Sequence, residues 1–165
     1  MEPLKVNVYP DKVLRKKCIL VDRVSEAEAA LFERMFYAMH HYSGIGLAAP
    51  QIGISRSLIV ADIGEGAIAL ANPVIVQTKG SGSMQEGCLS VPGIGVVVDR
   101  PEEIIVRGIN NKGKTVEIEA RGLLARVLQH EIDHLQGKLI IDYLNPLEKL
   151  KLKLRLRRGR HDAAV

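Results

Sequence analysis

Leu123-Leu124-Ala125-Arg126-Val127-Leu128-Gln129-His130-Glu131-Ile132-Asp133-His134-Leu135-Gln136 is the stretch on which the reading of the fold turns. Leu123, Val127, His130 and His134 fall on one helical stripe, with Leu124, Leu128, Glu131 and Leu135 beside it. Gly122 opens this predicted helix and Gly137 closes it as a C-cap. Histidines at i and i+4 share one helix face, so their ring nitrogens can meet one metal ion. Glu131 lies beside that face and can reach a metal-bound water and move its protons. An isolated carboxylate on an apolar face is costly, so Glu131 is expected to have a partner. The H-E-x-x-H pattern alone leaves simply packed histidines as an equal reading.

Outward from this helix the chain changes period. Leu58–Asp62, Ala67–Ala71, Val74–Gln77, Ile94–Val98, Glu103–Gly108 and Lys114–Glu119 are short Val- and Ile-rich runs that predict strands, and Val6–Tyr9 predicts another. Asn110-Asn111-Lys112-Gly113 predicts the turn between the last two of the central runs. Near the N-terminus, Ser25-Glu26-Ala27-Glu28 reads as a capping box, with the Ser25 hydroxyl and Glu28 carboxylate satisfying free amides. The helix it starts carries Leu31, Met35, Ala38 and Tyr42 at helical spacing and ends at Gly44. A last helix starts at Asn145-Pro146. The expected fold class is α+β: mainly antiparallel sheet strands packed around a central H-E-x-x-H helix, with an N-terminal and a C-terminal helix.

The chain has 165 residues, 47% hydrophobic and 25% charged, which fits one domain with a core that needs no disulfide staples. There is no long apolar run for a transmembrane helix and no signal-peptide pattern. With only Cys18 and Cys88, a reduced compartment is expected: the cytoplasm of a bacterium, or an organelle matrix if a transit peptide was trimmed. The net charge of +4 is uneven, because residues 148–165 hold seven Lys/Arg against two Asp/Glu. We therefore divide the chain into a domain over 1–147 and a basic extension over 148–165, and expect neither membrane nor DNA as a partner.

A catalytic metal needs a third protein ligand and an open position. Cys88 lies in Glu86-Gly87-Cys88-Leu89-Ser90-Val91-Pro92-Gly93, with glycine on both sides, though a lone buried cysteine is more often inert packing. Cys18 lacks such flanks. His40 and His41 are adjacent, diverge on a helix, and read as surface residues. In Gly44-Ile45-Gly46-Leu47-Ala48-Ala49-Pro50-Gln51-Ile52-Gly53 the small residues, Gly46 among them, leave room for an extended substrate beside the backbone. Gln51 there offers a neutral amide able to hold water or an oxyanion.

Taken together and in order, the stretches at 44–53, 86–93 and 129–137 resemble the peptide deformylases, over roughly residues 6–148. The resemblance implies removal of the N-formyl group from the N-terminal methionine of nascent polypeptides, releasing formate. It implies Cys88, His130 and His134 as metal ligands, with a metal-bound water as nucleophile. Glu131 would be the general acid/base, while Gln51 and the Leu89 backbone N–H would hold the oxyanion. It implies a methionine pocket walled by Ile45, Met84, Leu123, Val127 and the His130 ring, with extended pairing of substrate to Ile45 and Gly87. One Cys and two His suit zinc or iron. The resemblance favours Fe(2+), with Zn(2+), Ni(2+) or Co(2+) as substitutes, and an iron–thiolate site is oxygen-sensitive. The sequence departs from the family near position 95, where Gly95 stands in place of a polar side chain.

The basic, leucine-rich tail from Leu147 to Arg158 alternates like a strand, yet Leu147, Leu150 and Leu154 also fit one helix face. It is either a solvated terminal helix or a ribosome contact, the latter by analogy with some deformylases. Two further readings compete for the whole protein: a zinc endopeptidase of the H-E-x-x-H type, and an RNA-binding protein with a structural metal. The first lacks a well-spaced third ligand after His134. The second lacks a basic, aromatic-rich face on its body.

Overall fold

The computed structural model describes residues 2–162. Seven strands and three α-helices follow in chain order: α1 (Glu26–His41), β1 (Gly46–Ala48), β2 (Leu58–Ala61), β3 (Ile68–Lys79), β4 (Gly82–Glu86), β5 (Val96–Arg100), β6 (Glu103–Asn110), β7 (Thr115–Arg121), α2 (Gly122–Leu135) and α3 (Pro146–Asp162). Five strands form one antiparallel sheet in the order β1-β2-β3-β6-β7, and β4 pairs antiparallel with β5 in a separate two-stranded sheet. The α+β class with antiparallel sheets is as the sequence implies.

β2 explains the layering. All four of its residues are buried, because it is covered on both faces. Ile59 and Ala61 pack with Val127 and Leu128 of α2, whereas Leu58 and Val60 pack with Phe32 and Met35 of α1. The two-residue period of a strand thus sorts one apolar run into two cores. A third cluster, joining Val96 and Val98 of β5 to Leu14, Leu139 and Ile140, supports the small sheet. α2 follows β7 directly, and past its cap residue Gln136 stands Gly137, whose φ of 74° a β-carbon would strain; the Arg15 carbonyl oxygen lies 2.5 Å from where that carbon would sit.

Several local expectations change. Val6–Tyr9 is not a strand: the Asn7 N–H donates to the Gln51 carbonyl (2.7 Å) and the Tyr9 N–H to the Ser90 carbonyl (2.8 Å), so its amides are shared between two segments and no ladder forms. The two runs at 67–77 are one strand, β3, bent at Asn72 (φ 51°), whose side chain bonds both backbone groups of Val21. The run at 94–98 pairs two residues later, as β5. β1 and β4 were not expected. α1 starts at the expected capping box of Ser25 and Glu28: the Ser25 N–H donates to the Glu28 carboxylate (2.8 Å), and the Ser25 hydroxyl donates to the same carboxylate. The tail is helical, and Leu152 packs against the third cluster while Leu147, Leu150 and Leu154 stay exposed.

Candidate metal and active site

α2 and the loop after β4 converge on one point. His130 and His134 bring their Nε2 atoms to 3.2 Å, and the Cys88 sulfur lies 3.3 Å from His134 Nε2. The three donor atoms lie within 4.8 Å of one another, forming a group that could hold one metal ion. Ligands about 2.0–2.3 Å from a tetrahedral metal sit about 3.3–3.5 Å apart, so the donor set fits such an ion.

Polar groups fix this arrangement. His130 Nδ1 lies 3.0 Å from a Glu86 carboxylate oxygen. Glu86 also accepts from Arg100 at 2.6 and 3.0 Å and from Arg126 at 2.9 Å. Arg100 continues to Asp133 (2.9 Å), which accepts from the Tyr143 hydroxyl (2.6 Å). Burial would raise the Glu86 carboxyl, but His130, Arg100 and Arg126 together hold it down at about 2. Burial works downward on His130 as well, and its contacts with Cys88 and Glu86 reverse that, raising it to about 10. His134 is pushed well below the usual histidine value by burial and then by the neighbouring His130 charge.

Glu131 is buried with one carboxylate oxygen lacking any partner among the described residues. Burial raises its carboxyl to about 7, where either protonation state is accessible near neutral pH. It fits because residue 46 is glycine: a β-carbon there would fall 2.3 Å from a Glu131 oxygen and 2.8 Å from Val127. Gln51 is locked beside it, its carbonyl accepting from the Ala48 N–H (2.8 Å) and its amide donating to the Ser90 hydroxyl (3.2 Å), 3.7 Å from the Cys88 sulfur. The Leu89 N–H has no hydrogen-bond partner among the described residues.

These groups open onto a cavity of about 400 Å³ lined by Ile45, Gly46, Gln51, Met84, Gly87, Cys88, Leu89, Leu123, Val127, His130 and Glu131. Met84 (47% exposed), Leu123 (45%) and Ile45 (43%) belong to its open wall and not to a packed core. His134, Arg100, Asp133 and Tyr143 lie outside that lining, whereas Glu86 and Arg126 reach it. His40 and His41 are exposed, and Cys18 is buried away in the α2-side core. The sequence reading missed Ser90, Glu86, Arg100, Arg126, Asp133 and Tyr143. For Arg126 a signal existed: it precedes His130 by one turn, a charge on a helix already read as buried.

A profile of the polypeptide deformylase family matches residues 3–150. The chain belongs to that family. A peptide deformylase of Hydrogenovibrio crunogenus is 49% identical over 154 residues, covering 92% of this chain and 91% of that one. One from Syntrophobacter fumaroxidans is 48% identical, covering 90% and 91%. Among solved structures, a peptide deformylase from Legionella pneumophila superposes with a TM-score of 0.90 at 41% identity, covering 99% of this chain and 98% of that one. A peptide deformylase from Ehrlichia chaffeensis, in complex with actinonin, gives 0.91 at 34% identity over 96% and 98%. The chain is accordingly an enzyme of the peptide deformylase type, which sets aside the endopeptidase and RNA-binding readings. Among the described residues no helix is long and apolar enough to cross a membrane.

Proposed function

We propose that the cavity hydrolyses the formamide of N-formylmethionyl nascent peptides, with Cys88, His130 and His134 holding one divalent metal and α2 as the helix on which the site is built. The observation that carries this reading is the meeting of one sulfur and two imidazole nitrogens beside an unpartnered buried carboxylate. A metal bound there supplies Lewis acidity and makes water ionise near neutral pH. The proposed ion is Fe(2+), with Zn(2+), Ni(2+) or Co(2+) as replacements, since thiolate and imidazole suit all of these.

The remaining work falls to the chain itself. Glu131 accepts the proton of the attacking water, which its carboxyl near 7 permits, and hands it to the departing methionine nitrogen. As negative charge grows on the formyl oxygen, the Gln51 amide, held beforehand by the Ala48 N–H, and the Leu89 N–H donate to it. Formate then leaves. Glu86 fixes the ring of His130 through Nδ1. The methionine side chain sits among Ile45, Met84, Leu123, Val127 and the His130 ring. The peptide extends past Ile45 and Gly87, where an added β-carbon on Gly87 would meet nothing within 4 Å. Gly46 serves here by making room for Glu131.

The test is formate release from a formyl-Met peptide by anaerobically purified protein, with casein digestion alongside. Formate release without casein cleavage is expected. A metal-loaded protein that releases no formate would overturn the reading. We place the activity in the bacterial cytoplasm, within the 1–147 domain, with the 148–165 extension contacting the ribosome through its cations. Ribosome binding should then weaken with added salt and on truncation after Pro146; equal binding by the truncated and full-length chains would refute that contact.

A further inference from the structure

β4 pairs with β5 along one edge only, and among the described residues no strand covers its other edge, which borders the cavity. Gln85 lies on this strand, three residues before Cys88, and lines the cavity. Its side chain lies directly across Gly95. A β-carbon on Gly95 would fall 2.2 Å from the Gln85 amide nitrogen, 3.0 Å from its Cδ and 3.2 Å from its Cγ. The carboxamide therefore occupies the volume that any side chain at 95 would need. It is exposed and lines the cavity.

We propose that Gln85, admitted by Gly95, is a specificity-determining residue that hydrogen-bonds the substrate backbone beyond the methionine. The inference rests on the deformylase reading and adds a contact to it. A strand rises about 3.3 Å per residue, so Gln85 on β4 stands at most about 10 Å back along the chain from Cys88, which lies two residues beyond the end of that strand. An extended peptide with its formyl group at Cys88, lying against the open edge of β4, brings its second or third residue level with Gln85. A neutral carboxamide offers both donor and acceptor, which matches the C=O and N–H of a peptide unit, and it carries no charge that would select a side chain of one sign. The enzyme thus reads chain length with little regard to the side chains at those positions.

The experiment compares kcat and KM for formyl-Met-Ala and formyl-Met-Ala-Ala-Ala with the metal-loaded wild type, Gln85→Ala, Gly95→Ala and the double variant. Loss of one neutral hydrogen bond corresponds to about three- to tenfold. Gln85→Ala should lower kcat/KM for the longer peptide by that factor through KM, with formyl-Met-Ala affected much less. Gly95→Ala should reproduce the effect, since the new methyl displaces the amide, and the double variant should be no worse than either single one. Replacing the second and third alanines by Lys or Glu should leave the loss unchanged. Unaltered KM for the longer peptide, equal losses on both peptides, or additive losses in the double variant would overturn the proposal while leaving the deformylase reading intact. A wild type that releases formate from neither peptide would overturn both.

Discussion

The charges around Glu86 and those on α3 behave as two different materials. α3 belongs to a tail with seven Lys/Arg against two Asp/Glu from residue 148 onward, and it sets the sign of the whole chain. Around Glu86 there are few charges, but the side chains of Arg100 and Glu86 are only 4% and 5% exposed. On the helix, solvent screens the cations from Lys149 to Arg158 and little depends on any one of them. Beneath the cavity each charge is held by hydrogen bonds because it has no water to fall back on, and losing a partner strands the rest. Site geometry is therefore set by a handful of buried charges, while net charge reports only on the tail.

The largest effect should come from the most isolated of the buried groups. Glu131→Gln keeps the shape and removes the proton carrier, so kcat should fall by roughly 10²–10⁴-fold or more with metal content unchanged, read by formate release and metal analysis. Next, Glu86→Ala leaves the buried Arg126 with carbonyl partners only among the described residues and Arg100 with Asp133 as its remaining carboxylate, and should destabilise the fold by about 3–5 kcal/mol in urea unfolding. Gly46→Ala forces a methyl against Glu131 and Val127 and should cost about 1–3 kcal/mol along with activity; a variant with wild-type stability and rate would mean that space is not tightly filled.

Glu28 is an intermediate case, since its partner Arg56 is partly exposed. Hydrogen bonds from Ser25 and Arg56 hold its carboxyl at about 2, below its ordinary 4.5. Its contribution to stability is complete above the unfolded value and is lost as pH falls from there through 2. Glu28→Gln should flatten the stability loss between pH 6 and pH 3, measured by denaturant midpoints. The smallest effect belongs to α3: Lys153→Ala should alter stability by no more than about 0.5 kcal/mol, and a larger loss would show that the tail is not a solvated surface.

The same contrast explains what could be read from the chain. α2 was legible because its period, its glycine end and its two histidines are all local signals, and α1 was legible for similar reasons. β2 and β6 announced themselves as apolar runs. β4 did not: Gly82-Ser83-Met84-Gln85-Glu86 is polar and glycine-led, and it is a strand only because β5 pairs with it and Arg126 donates to the Gly82 carbonyl at 2.8 Å. β1 hid in a loop-like run of small residues, since its strand character comes from pairing with β2. Cys88, His130 and His134 could be singled out, but their meeting depends on contacts more than 40 residues apart in the chain. The Glu86–Arg100–Asp133 network was silent for the same reason, as no local pattern shows which carboxylate an arginine will find.

The central claim is that a thiolate and two imidazoles share one metal ion. Crystals grown anaerobically from metal-loaded protein, with diffraction recorded at the absorption edge of the bound metal, test it most directly. The account requires a single anomalous peak about 2.3 Å from Cys88 Sγ and about 2.1 Å from Nε2 of both His130 and His134. A peak ligated elsewhere, or a fully active enzyme with no peak among these three atoms, would contradict it.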